Sequence, residues 1–179
     1  LLLPIIFRAG TLIYSIPISY LLDNIMLQNI ALIPDGARRY AQREGIDLET
    51  AYLHTSEHLV RLCEALSKRG LKNIHIYSFS IHNLKRAPTE VFACLNAGCE
   101  FIRMINKAEL NVQMHGDLMA IANTHPELAR LCATCHGYFF PKFPTTIHLY
   151  IGYSLGHYLA TLQNTYVNQE ELRSHLLDT

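Results

Sequence analysis

Apolar residues in this chain fall into short runs, separated by longer stretches with a helical period. Four runs read as strands: Asn29 to Pro34, Asn73 to Phe79, Asn111 to His115, and Thr146 to Ile151. Two of them alternate. Ile74 and Ile76 interleave with His75, Tyr77 and Phe79, and Ile147, Leu149 and Ile151 interleave with Thr146, His148 and Tyr150. A period of two sends the two sets to opposite faces of a sheet. Between the runs, Leu59, Leu62, Cys63 and Leu66 share one helical face, and Glu57/Arg61 and Glu64/Lys68 are i,i+4 pairs on another. Gly70 stops that helix. Pro88 opens the next, whose apolar face is Val91, Leu95, Ile102 and Ile105. Further helices are expected at 126–136, 154–165 and 169–177. The alternation predicts an α/β fold, a mostly parallel central sheet flanked by helices. In such sheets ligands bind beyond the carboxyl ends of the strands. That rule ranks Pro34 to Tyr40, Ser78 to Pro88, Gly116–Asp117 and Gly152 to His157 as candidate sites.

Composition narrows the function. The chain has 179 residues, 50% of them hydrophobic, which is enough for one full-sized core and too apolar for disorder. Lys plus Arg and Asp plus Glu are 15 each, so there is no basic surplus of the kind a nucleic-acid binder needs, and no nucleic acid is expected as a partner. Five Cys residues are too few for a disulfide scaffold and point to a reducing, cytoplasmic setting. At the N-terminus, Arg8 is the only charge before Asp23, and Pro4 and Pro17 interrupt the apolar run. A spanning helix needs about 20 unbroken apolar residues. Residues 1–28 therefore read as a lead-in packed on the domain or on a partner; peripheral membrane contact through residues 1–22 is the second reading.

The first candidate segment carries chemistry. Asp35-Gly36-Ala37-Arg38-Arg39-Tyr40 leaves an apolar strand and enters a helix. The first N–H groups of a helix lack internal partners and favour an anion. Gly36 allows close backbone approach, Arg38 and Arg39 add forked cationic donors, and Asp35 is an oxygen ligand suited to Mg²⁺ that also contacts phosphates. The plainer alternative is a helix capped by Asp35 with a solvated basic turn.

The line Asn29-Ile-Ala-Leu-Ile-Pro-Asp-Gly-Ala-Arg-Arg-Tyr-Ala41 resembles the signature of the cis-prenyltransferases, the undecaprenyl diphosphate synthase family, in which a strand runs into Asp-Gly-Asn-Gly-Arg-Trp-Ala. Ile76-Tyr-Ser-Phe-Ser80, Asn83-Leu84-Lys85-Arg86-Ala87-Pro88 and Glu90-Val91 are similar to that family's Phe-Ser-x-Glu-Asn-Trp-x-Arg-Pro-x-x-Glu-Val, with one extra residue before Pro88. Asn111-Val112 with Gly116-Asp117 is a weaker third match, and the resemblance runs over about residues 29 to 177. It implies a cis-prenyltransferase-like fold, a homodimer, and a Mg²⁺-dependent transfer of an allylic group from its diphosphate. By the same resemblance Asp35 holds the metal and Gly36, Ala37, Arg38 and Arg39 cradle phosphate. Ser80, Asn83 and Arg86 line the reaction centre or the approach of the second substrate.

The departures point to a branch. Ala37 and Arg38 stand where the family has Asn and Gly, Leu48 and Tyr52 where chain-elongating members carry Arg and His, and His82 where the family has Glu. Ser154-Leu155-Gly156, followed by His157, replaces Gly-Gly-Arg. This pattern resembles the cyclolavandulyl and lavandulyl diphosphate synthases, which implies head-to-middle joining of short isoprenyl diphosphates of the dimethylallyl or geranyl class. Tyr52, His82 and His157 are then candidates to steer the cation or accept its proton, with hydrogen-bonded ring packing as the alternative for each. The family's Arg-x-Gly-x-x-x-Arg-x-Ser segment has no counterpart before Thr179. The expectation is therefore a lead-in at 1–28 and a domain at 29–179 that lacks that phosphate-binding segment. Regular cis-chain elongation and a non-catalytic partner subunit are the rival functions. Cys132-Ala-Thr-Cys135-His136 matches a haem-attachment pattern and, with His125, could be a partial zinc set, but buried thiol packing is the leading reading.

Overall fold

The computed structural model describes residues 3–8, 28–135 and 144–154. Five parallel strands form one sheet: β1 (Leu3–Arg8), β2 (Asn29–Asp35), β3 (Asn73–Ser80), β4 (Asn111–His115) and β5 (Thr146–Tyr153), in the order β1-β2-β3-β5-β4. The helices are α1 (Ala37–Glu44), α2 (Leu48–Lys68), α3 (Pro88–Lys107), α4 (Leu118–Thr124) and α5 (Pro126–Cys135), with a 3₁₀ turn at Ile81–Lys85. This is the α/β parallel architecture expected from the alternating runs. Among the described residues no helix is long and apolar enough to cross a membrane.

The local chemistry explains the boundaries. α1 stops at Gly45, which takes a left-handed conformation at φ 66°. Asp47 caps α2 by accepting from the Thr50 amide at 2.8 Å. α3 begins on Pro88, as the sequence indicates. One core cluster joins Leu59, Cys63 and Leu66 of α2, Leu95, Ile102 and Ile105 of α3, and Leu128 and Cys132 of α5 to Ile30, Leu32, Ile74, Ile76, Ile147 and Leu149 of the sheet.

Three differences from the sequence reading stand out. The lead-in contributes β1, which pairs with β2 from Leu3↔Ile30 to Arg8↔Asp35; two prolines and a lone charge hide an edge strand of this kind. α4 has only seven residues and went unpredicted. Phe79, read on the same face as His75 and Tyr77, is buried in the core at 2% exposure, because the β3–β5 register shifts between Tyr77 and Phe79, and again between Phe79 and Ser80. The expected helices at 154–165 and 169–177, with His157, lie outside the described residues.

The opposite sheet face carries rings. His75 stacks on His148 at 4.5 Å and Tyr77 on Tyr150 at 4.3 Å. A hydrogen-bonded line crosses four strands. The Asn73 amide nitrogen donates to Asn29 Oδ1 at 2.6 Å, which leaves Asn73 Oδ1 to accept from His148 Nε2 at 3.1 Å. That assigns His148 Nδ1 as the acceptor for His115 Nε2 at 3.0 Å.

Candidate functional site

The site forms where β2 and β3 end. Asp35 closes β2, and Gly36, at φ 99°, turns the chain into α1. No side chain caps α1, so the capping role open to Asp35 is not taken. The Asp35 carboxylate instead accepts from Arg39 Nη2 at 2.8 Å, and the first amides of α1 keep their free donors. From β3 the chain enters the 3₁₀ turn, where Ser80 donates to Asn83 Oδ1 at 2.7 Å and the Arg86 amide donates to the Asn83 carbonyl at 3.1 Å. The sharp turn swings Asn83 and Arg86 back toward Asp35.

Together these segments surround a polar cleft lined by Asp35, Gly36, Ala37, Arg38, Tyr52, Asn83 and Arg86, with Pro34, Ser78 and Cys94. Seven of the residues singled out in the sequence thus meet in one place. Arg39 and Ser80 stand just behind it, bound to Asp35 and Asn83. His82 is exposed on the 3₁₀ turn and is not part of the lining. That placement leaves its candidate role in proton acceptance without a geometric basis.

A second, apolar cavity adjoins the cleft. α2 contributes Ser56 and Leu59, α3 contributes Leu95, Ala97, Gly98 and Phe101, α5 contributes Leu128, and the sheet contributes Ile76, Phe79, Leu149 and Ile151. Pro34, Tyr52, Ser78 and Cys94 line both spaces. The two spaces therefore lie side by side and share those walls, one lined by charged groups and the other by apolar ones. Ser56 bridges the helices by donating to the Ala97 carbonyl at 3.0 Å.

Electrostatics at the junction keep its groups neutral. Burial, then Cys94 and Glu90, hold the Tyr52 hydroxyl protonated well above its ordinary range. Burial pushes the Cys94 thiol up to about 12, so it is no nucleophile at neutral pH. In the sequence Cys94 is an ordinary helix position, and its place in the cleft is visible only in three dimensions. Glu90 went unassigned as well. Its Oε1 accepts from Arg86 Nη1 at 3.0 Å and from the Tyr52 hydroxyl at 3.2 Å. Its i,i+4 spacing from Arg86 was the available signal.

As a metal site, the cleft offers one protein carboxylate, Asp35. Among the described residues no group of three or more His, Cys, Asp or Glu could hold an ion by itself. A single exposed hard oxygen facing cationic donors fits Mg²⁺ completed by phosphate oxygens and water, and does not fit Zn²⁺. The partial zinc set fails for its own reason. His125 Nε2 bonds to Asn96 Oδ1 at 2.8 Å, and Nδ1 accepts from the Leu128 amide at 3.2 Å. Cys132 is fully buried in the core, in agreement with the packing reading, and His136 lies outside the described residues.

Comparisons with known proteins identify the family. Residues 33–171 match the Prenyltransf family model, that of undecaprenyl diphosphate synthase. A chloroplastic nerylneryl diphosphate synthase of Solanum lycopersicum is 27% identical over 156 residues, which are 87% of this chain and 48% of that protein. An isoprenyl transferase of Leptospira interrogans is 34% identical over 82 residues, 46% of this chain and 34% of that protein. The matched stretches thus span less than half of either relative. The crystal structure of lavandulyl diphosphate synthase from Lavandula x intermedia, in complex with dimethylallyl diphosphate, superposes with a TM-score of 0.58 at 16% identity, covering 80% of this chain and 65% of that one.

Proposed function

The chain belongs to the undecaprenyl diphosphate synthase family of cis-prenyltransferases, and from that premise we propose that it joins short isoprenyl diphosphates, of the dimethylallyl or geranyl class, by head-to-middle condensation. The observation that carries this reading is that a cationic cleft and an apolar cavity lie side by side, with Tyr52, Ser78 and Cys94 in the walls of both. An allylic diphosphate has those two halves in that order.

The chemistry follows from the residues. Ionising the allylic C–O bond leaves charge on the diphosphate, and the free amides of α1 with Arg38 and Arg86 are set to receive it. Asp35 would hold Mg²⁺, which supplies further neutralisation of the leaving group when bound. Arg39 orients the Asp35 carboxylate from behind. The apolar walls would keep water from the cation, and the Tyr52 hydroxyl and Asn83 are the polar side chains of the cleft that could face it. Support for the irregular branch comes from the Pro-Asp-Gly-x-Arg-Arg-aromatic line and the Leu48/Tyr52 pair. The reading extends to a homodimer and to peripheral lipid contact through residues 1–22.

The test is direct. The protein is incubated with Mg²⁺ and dimethylallyl, geranyl and isopentenyl diphosphates, and products are identified after dephosphorylation. Branched products are expected, with Asp35→Ala lowering turnover by about a hundred-fold or more, the usual scale for losing a group that stabilises a leaving anion. Linear cis products would move the chain to regular elongation. No turnover by the wild type would leave a non-catalytic partner subunit.

A further inference from the structure

Glu90 sits in the first turn of α3, one turn beyond Arg86, and three side chains of the site converge on one of its oxygens. Oε1 accepts from Arg86 Nη1 at 3.0 Å and from the Tyr52 hydroxyl at 3.2 Å, and lies 3.8 Å from Arg38 Nε. The Glu90 side chain is only 12% exposed, against 31% for Arg86 and 62% for Arg38. The carboxylate is therefore the fixed member, and the guanidiniums are the members that reach the cleft. A buried negative charge beside an anion site is unfavourable for anion binding by Coulomb's law alone. Its placement makes sense if orientation matters more than charge.

We propose that Glu90 is a positioning residue: it holds Arg86 and Arg38 each by one edge, which leaves their remaining nitrogens turned to the diphosphate, and through Tyr52 it links the anion cleft to the mouth of the apolar cavity. The proposal rests on the diphosphate reading above and adds a coupling between the two halves of the substrate. An anion that draws in Arg86 tightens the carboxylate, and the carboxylate holds the Tyr52 ring against the chain that follows. Glu90 touches no reacting atom, so its effect belongs to binding and not to the chemical step.

The sign of one measurement separates positioning from charge. Inorganic pyrophosphate and geranyl diphosphate, each with Mg²⁺, are titrated calorimetrically into the wild type and the Glu90→Ala, Glu90→Gln and Tyr52→Phe variants, whose folding is checked by thermal unfolding. Positioning predicts that Glu90→Ala binds pyrophosphate about ten-fold more weakly although a negative charge has gone, the scale of a lost charge-assisted hydrogen bond. Glu90→Gln, whose amide oxygen still accepts from Arg86 and Tyr52, binds at least as tightly as the wild type. Tyr52→Phe cuts the gain in affinity that the geranyl chain adds over pyrophosphate by about five-fold, as expected for a lost neutral hydrogen bond. Equal or tighter pyrophosphate binding by Glu90→Ala overturns the proposal and leaves the diphosphate reading intact. If Glu90→Ala fails to fold, the other two variants decide: weaker pyrophosphate binding by Glu90→Gln, or an unchanged geranyl gain in Tyr52→Phe, overturns it. A wild type that binds no pyrophosphate overturns both readings.

Discussion

Gly98 lies inside α3 and lines the apolar cavity, so a single methyl group there tests stability and function together. Glycine in a helix interior costs about 0.5–1 kcal/mol relative to alanine, through the backbone entropy lost on folding. A Cβ built at Gly98 meets Leu128 Cδ1 and Cδ2, both at 3.6 Å, which is ordinary contact without strain. Gly98→Ala therefore stabilises the fold by about 1 kcal/mol, a rise of about 2–4 °C in Tm for a domain of this size. The same methyl narrows the cavity where an isoprenyl tail would lie. Binding of dimethylallyl diphosphate should change little, while geranyl diphosphate weakens by a few-fold, on the scale of ~1 kcal/mol for a lost methylene contact. Gly98→Leu, which fills much more of the space, should abolish geranyl binding and spare pyrophosphate. The assays are thermal unfolding and calorimetric titration with the three ligands. A lower Tm for Gly98→Ala refutes the packing argument. Unaltered geranyl binding in both variants refutes the assignment of this cavity to the tail.

The remaining expectations concern the turns and the ring-bearing sheet face. Gly116 has φ 120°, and a Cβ there would stand 2.0 Å from the Ile151 carbonyl oxygen, so Gly116→Ala should cost more than about 3 kcal/mol and be seen as a collapse of soluble, cooperatively unfolding protein. His148 is held down to about 4, first by burial and then by His75 and His115, and its Nδ1 already accepts from His115. A lowered folded value means stability fully present above the unfolded value near 6.5 and lost as pH falls from there toward 4. The shift would be worth about 3 kcal/mol unscreened at 1.36 kcal/mol per unit, and solvent at this half-buried ring reduces it to about 1 kcal/mol. Denaturant midpoints measured from pH 7.5 to 4 should fall, and His148→Gln should flatten that dependence; an equal slope in the variant would sink the assignment.

The parallel sheet, its carboxyl-end site and most element boundaries were legible because they rest on local rules. Periodicity of two marked Ile74 and Ile147 as core, Pro88 opened α3, and the Asp35-Gly36 turn with Arg38 marked where the candidate cleft lies. Legibility failed where a contact was distant or a shift was small. A bulge of one residue at Ser78 moved Phe79 from the ring face into the core, and nothing in the alternation of β3 signals it. Cys94 and Glu90 look like ordinary helix positions until α3 is laid against α2, since Tyr52 lies 38 residues from Glu90.

By itself, then, the amino-acid order determined the kind of fold, the candidate diphosphate grip and the family, because hydrophobic period, turn chemistry and contiguous motifs are written within a few residues of one another. Only the tertiary structure decided that the cleft adjoins an oily cavity, that Asp35 pairs with Arg39 instead of capping α1, and that His82 faces outward while Glu90 gathers Arg86 and Tyr52. Those outcomes depend on which helix faces pack together, and packing is a property of surfaces brought from distant parts of the chain.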